Sequence, residues 1–134
     1  MDSEVLSIAT GGRRALVDLT DEVAGFVAGK GDGLLSVFVP HATAALVLME
    51  TGAGSESDFL DAVDSVLPRD DRWRHSHGSE GHGADHLVPA LLSSSLTIPV
   101  VDGRMTLGTW QSVVLVDTNV DNPRRSVRLS FLPG

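Results

Sequence analysis

The spacing of apolar positions changes character several times along the chain. Val5 to Ile8 and Ala15 to Leu19 alternate as short strands do, and the Gly-Gly pair in the intervening TGGRR suits a hairpin turn between them. In LTDEVAGFVAGKG the period lengthens: Val23, Phe26 and Val27 recur at i, i+3, i+4. This predicts an amphipathic helix with Thr20 as N-cap, Asp21 and Glu22 in its first turn, and Gly29 and Gly31 as a stop. Leu34 to Pro40 and Thr43 to Glu50 are again strand-like, and close enough in sequence to be neighbours in a sheet.

Helical spacing returns in SESDFLDAVDSVLP, where Phe59, Leu60, Val63 and Val66 share a face. Ser55 and Asp58 form a capping-box pattern, and Pro68 ends the run. Residues 69–83, RDDRWRHSHGSEGHG, have no periodicity and read as a surface loop. Ala84 to Leu92 predicts a short helix with Asp85 near its N-cap and Pro89 in its first turn. The last third is β-rich: Leu96 to Val101, a turn at Asp102-Gly103, Met105 to Leu107, Gln111 to Thr118, and Ser126 to Leu132. The expected class is α+β, one domain over residues 1–134, with a largely antiparallel sheet and about three helices. The strict βαβ alternation of a doubly wound nucleotide-binding fold is absent.

Charge narrows the partners. A formal net charge of −8, with one lysine against nine arginines, argues against nucleic acid, whose phosphates call for a basic face. Three arginines cluster in NPRRSVR, which suits a small anionic ligand better than a polymer. No apolar run is long enough to cross a membrane, and acids stand where a signal peptide needs basic residues, so the expectation is a cytoplasmic protein with no membrane partner. With no cysteine, thiolate chemistry and disulfides are excluded.

The candidate chemistry rests on imidazoles. Of five histidines, His75, His77, His82 and His86 fall within twelve residues, and His41 is placed on a core-like strand. Imidazole is the commonest side-chain metal ligand and titrates near neutrality, so a metal or catalytic site is the reading for the group, although no H-E-x-x-H motif organises it. Glu50 ends its apolar run either as a water-facing carboxylate or as a base that holds a histidine tautomer. Capping is a sufficient reading for Asp58 and Asp85. In LGTWQSVVLVD, Thr109, Trp110 and Gln111 bring a hydroxyl, an indole and an amide to the start of a β-run. Trp110 reads as a core tryptophan or as a platform for a flat heteroaromatic ring. Neither TGGRR nor GKGDG matches a phosphate-binding glycine loop.

Four blocks together resemble the YjbQ-like family, also described as the secondary thiamine-phosphate synthase family: PHATAALVLME, WRHSHGSEGHGADHL, SSSLTIPVVDGRMTLGTWQSVVLVD and NPRRSVRL. The resemblance runs from about Leu34 to the C-terminus, and the P-V…G…GTWQ block is its specific part. It implies a YjbQ-like α+β subunit in a homotrimer, with sites near subunit interfaces. It also implies a pocket in which histidines hold a divalent metal, open between Zn²⁺, Mg²⁺ and Mn²⁺, or an anion.

By matching position the resemblance carries over His41, Glu50, His86, Arg124 and Arg125 as catalytic residues. Thr43, Thr109, Trp110 and Gln111 follow as substrate contacts, and His41, His75 and His86 as metal ligands. The activity it implies is a weak thiamine-phosphate synthase reaction, in which an aminopyrimidine-methyl diphosphate joins a thiazole phosphate and releases pyrophosphate. On this reading His41 and Glu50 border one site, reached by His75 and His86 from the loop and the following helix. Arg124 or Arg125 neutralises the departing pyrophosphate, and Trp110 faces the pyrimidine. The alternative is a non-catalytic homotrimer that binds a small anionic, phosphorylated metabolite or a metal. The sequence departs from the family pattern in three places: Ala42 intervenes before Thr43, His82 stands where asparagine is common, and Asp117 replaces a glutamate.

Overall fold

A computed structural model describes all residues, Met1–Gly134. The elements are β1 (Asp2–Ala9), β2 (Ala15–Asp18), α1 (Thr20–Val27), β3 (Gly33–Phe38), β4 (Ala44–Met49) and α2 (Ser55–Val66). After the histidine loop come α3 (His82–Asp85), α4 (Val88–Leu91), β5 (Ser95–Val101), β6 (Arg104–Met105), β7 (Ser112–Asp117) and β8 (Arg124–Pro133). All pairings are antiparallel, and the α+β expectation holds.

The strands form two sheets: a five-stranded one in the order β1-β8-β3-β5-β6 and a three-stranded one in the order β2-β7-β4. Two expectations fall here. β1 pairs with β8 and β2 with β7, so the Gly11-Gly12 turn sends the chain from one sheet to the other and closes no hairpin. Likewise β3 and β4 are neighbours in sequence but lie in opposite sheets. Both runs are apolar enough to sit against a core, and apolarity alone does not say on which side of it.

The principal core lies between the sheets. Leu35, Val37, Val127, Leu129 and Phe131 of the larger sheet meet Leu46, Val113 and Leu115 of the smaller one, with Val23 and Val27 of α1 packed in. The other face of the smaller sheet carries Ala45 and Val116 against Leu67, Ala84 and Val88, so α2, α3 and α4 make a third layer. β7 is therefore covered on both faces, which accounts for its unbroken run Val113 to Val116.

Local chemistry departs from expectation at several ends. Thr20 is inside α1, where its hydroxyl donates to Asp18 and accepts from the Val113 N–H at 2.9 Å. At α2 it is Glu56 that accepts from the Gly52 N–H at 2.6 Å, and no side chain caps at Gly54 or Ser55. The segment 84–92 is two short helices joined at His86–Leu87, with Pro89 in the first turn of α4 as expected. No helix is long and apolar enough to cross a membrane.

Candidate metal centre

The end of β7 organises two polar clusters on its two sides. Asp117 points between the sheets, whereas Thr118 and Asn119 serve the helix-side layer. Within the sheets, Arg125 of β8 donates from Nε to Asp117 Oδ2 at 2.8 Å and from Nη2 to Asp117 Oδ1 at 2.9 Å. The same Nη2 reaches the Thr43 hydroxyl at 2.9 Å, and all three residues are buried. His41 closes this cluster: its Nε2 accepts the Ser126 N–H at 2.9 Å, on the stretch of β8 beyond the last β3 pair, Phe38 with Arg128. Partial burial, then the adjacent Arg125, hold the His41 imidazole below its ordinary pKa, with Asp117 opposing.

On the other side Asp85 has no exposed surface. It accepts from Arg69, from the Thr118 hydroxyl at 2.8 Å and from the Asn119 amide at 3.0 Å. Capping was a sufficient reading of Asp85 in the sequence, but its carboxylate makes no cap. It ties the histidine loop, through Arg69, to α3 and to the end of β7.

That tie gathers four imidazoles. His82 and His86, one turn apart, bring their Nε2 atoms to 3.0 Å. His75 packs against both, with ring centroids 5.3 and 4.5 Å away, and His77 flanks His75 at 4.2 Å and His82 at 4.7 Å. One ring nitrogen from each of His75, His82 and His86 falls within 4.8 Å of the others. Behind His82, Asp121 Oδ2 lies 3.0 Å from Nδ1 and is itself held by the Ser79 hydroxyl at 2.9 Å and the Ser79 N–H at 3.3 Å.

The chemistry of the donor set fits a metal ion. Imidazole–zinc bonds of about 2.0–2.1 Å put neighbouring tetrahedral ligand atoms roughly 3.3 Å apart, near the 3.0 Å between His82 and His86, and the set, now within 4.8 Å, would draw together around an ion. A metal ligand must also be deprotonated, and both outer rings favour that state. Burial, then His75, His82 and His77, depress the His86 pKa. Loss of solvent, then His77 and His82, depress that of His75. The loop above borders a half-open pocket of about 320 Å³ with no apolar lining residue; Asp70, Asp71, His75, Ser79, Glu80 and His82 are among its walls.

The expected site is therefore divided. His75 and His86 come together, joined by His82 in place of His41. His41 belongs to the sheet-end cluster, with its Nε2 already occupied by a backbone donor. Thr43 and Arg125 are committed to the same cluster, and Arg124 is exposed and donates to the Ser7 hydroxyl at 3.3 Å. Glu50 follows β4 at the opposite end from His41, because six extended residues of about 3.3 Å each separate them. It is exposed, and Glu50 and His41 border no common site in one chain. Thr109, Trp110 and Gln111 precede β7 at the same far end. Trp110 is 73% exposed, so it is no core residue, and Gln111 turns its Oε1 back to the Gly108 N–H at 2.9 Å.

Sequence reasoning left His82 unassigned and passed over Asp121, Asn119 and Arg69. One signal was available: His82 and His86 are four apart, the spacing that puts two ligands on one helical face.

A family model for UPF0047, YjbQ-like proteins, matches residues 4–134. A UPF0047 protein of Mycobacterium tuberculosis (strain H37Rv) is 60% identical over 134 residues, covering all of both chains. Another from Archaeoglobus fulgidus is 33% identical over 122 residues, 91% of this chain and 95% of its own. Among solved structures, a YbjQ-like protein of unknown function from Sulfolobus solfataricus P2 superposes with a TM-score of 0.91 at 27% identity, covering 99% of this chain and 97% of that one. A hypothetical protein from Aeropyrum pernix K1 gives 0.90 at 30% identity over the whole of both. The family model's match over residues 4–134 and the identity to these relatives along nearly the full length lead to one conclusion: the chain belongs to the UPF0047 family of YjbQ-like proteins.

Proposed function

We propose that His75, His82 and His86 hold a divalent metal ion, and that this centre serves a small phosphorylated ligand in the polar cavity above it. The observation that carries the reading is the convergence of three imidazoles, two of them 3.0 Å apart, beneath a cavity without apolar walls. Three imidazoles suit a borderline transition ion such as Zn²⁺ and do not suit Mg²⁺, which takes oxygen ligands. Such an ion supplies Lewis acidity at a phosphoryl oxygen.

The chain's own residues supply position. Asp85 fixes the loop through Arg69, and Asp121 orients His82. Of the two arginines expected to neutralise pyrophosphate, Arg125 is held by both Asp117 oxygens and Arg124 reaches only the Ser7 hydroxyl; Arg69, in the histidine loop, is held by both Asp85 oxygens. Asp70, Asp71 and Glu80 make the cavity acidic. A cation held by the imidazoles would balance an anionic ligand there.

The reaction to test is the thiamine-phosphate synthase one: transfer of the aminopyrimidine-methyl group to a thiazole phosphate, with release of pyrophosphate. Metal-loaded wild type should form product, and His86→Ala should lose it. Binding of the diphosphate with no product would favour the non-catalytic binder instead. A homotrimer forms part of this proposal. It is supported by Val5, Leu34, Phe38, Val101 and Leu132, each 41–56% exposed on the outer face of the five-stranded sheet. Light scattering on wild type and Leu34→Asp/Phe38→Asp tests it: a trimer that the double substitution dissociates is expected, and a wild-type monomer would refute it.

A further inference from the structure

His82 Nδ1 has two polar neighbours that make opposite demands. Asp121 Oδ2, 3.0 Å away, can only accept, and the Asn119 amide nitrogen, 3.2 Å away, can only donate. The amide is not free to flip. Its nitrogen must donate to Asp85 Oδ2 at 3.0 Å, and its oxygen accepts the Asp121 N–H at 2.9 Å.

The contest at Nδ1 is decided by charge. With Nδ1 unprotonated, an imidazole lone pair would face a carboxylate oxygen at 3.0 Å with no hydrogen between them. With Nδ1–H present, the contact is a charge-assisted hydrogen bond, roughly twice as strong as a neutral one. The 3.2 Å contact then costs the amide little, since its hydrogen bond to Asp85 remains.

We infer that Asp121, clamped by Ser79 from the histidine loop, is a positioning residue that locks His82 as the Nδ1–H tautomer and aims its Nε2 lone pair at His86 and the shared donor point. The inference rests on the metal-centre reading for its purpose but not for its geometry. It also explains how one loop does two jobs. Ser79 lies forty-two positions before Asp121, so docking of the loop and choice of tautomer are a single event.

The carboxylate–histidine pair generalises to metal sites, where an outer carboxylate fixes ring and tautomer and its loss lowers affinity about 10–100-fold.

The test has two arms. In the metal-free protein, long-range ¹H–¹⁵N correlation spectra should show His82 Nε2 unprotonated and Nδ1 protonated in wild type, with Asp121→Asn shifting the ring towards the other tautomer. In a Co²⁺ titration followed by visible absorption, Asp121→Asn should bind about 10–100-fold more weakly than wild type, Asp121→Glu should recover part of that loss, and in a His82→Ala background Asp121→Asn should change nothing further. An unaltered His82 tautomer in Asp121→Asn would overturn the inference, as would an equal loss of affinity with and without His82. If wild type takes up no Co²⁺, the metal reading fails, while the spectra still decide the role of Asp121.

Discussion

Arg69 of the histidine loop is ion-paired to Asp85, a carboxylate with no exposed surface. Removing one partner of such a pair leaves a buried charge without compensation. Arg69 is itself only 17% exposed, so Arg69→Met should cost about 3 kcal/mol, near the lower end for a broken buried pair. Chemical denaturation measures it. Asp85→Ala should cost a similar amount, and the double variant should cost less than the sum, because both singles lose the same interaction.

Arg125 was expected at a departing pyrophosphate and is found 2% exposed on Asp117. Arg125→Met should therefore lower stability by about 3–5 kcal/mol. Below its unfolding transition, the same variant should bind Co²⁺ as tightly as wild type. A folded Arg125→Met protein with lost metal uptake would return Arg125 to the metal site.

Acid should weaken the fold through His41. Its folded pKa lies below the ordinary 6.5, so the unfolded chain binds the proton more readily. The associated stability is complete above 6.5 and is lost as pH falls through the folded value. His75 and His86 shift in the same direction and add to the slope. His41→Gln keeps an acceptor for the Ser126 N–H without a titrating ring. It should flatten the fall in urea midpoint below pH 6.5, and an unchanged slope would contradict the assignment.

Gly83 is where the loop passes closest to α3. A Cβ there would lie 2.2 Å from the His75 carbonyl oxygen and 2.8 Å from the Trp73 Cβ, so only glycine lets His75 approach His82. Gly83→Ala should destabilise by about 2 kcal/mol, as overpacking of a closed site does. It should also weaken Co²⁺ binding by moving His75 away. Normal affinity in this variant would show that His75 is dispensable.

Much of the fold could be read from periodicity. Val23, Phe26 and Val27 gave α1, Phe59 and Val63 gave α2, and Asp102-Gly103, both at positive φ, gave the β5–β6 turn. Sheet membership could not be read, because β3 and β4 are apolar for different reasons: Leu35 and Val37 face one core, whereas β4 faces two. The site was legible as composition, in the histidine count, but not as geometry. Nine residues is a short interval in sequence, which pairs His41 with Glu50 on paper; in an extended strand it is the length of a sheet. Asp85 and Asp121 act through partners sixteen and forty-two residues away, and no local pattern marks such pairs.

The central claim is that His75, His82 and His86 form one metal centre. Co²⁺ titration of the purified, metal-stripped chain tests it directly, with elemental analysis of the loaded protein. Wild type should take up roughly one equivalent per chain with the ligand-field bands of a nitrogen-ligated ion, and His82→Ala and His86→Ala should each abolish the bands while His41→Ala retains them. Absence of uptake by wild type, or uptake that survives loss of His82 and His86 but fails with His41, would contradict the account.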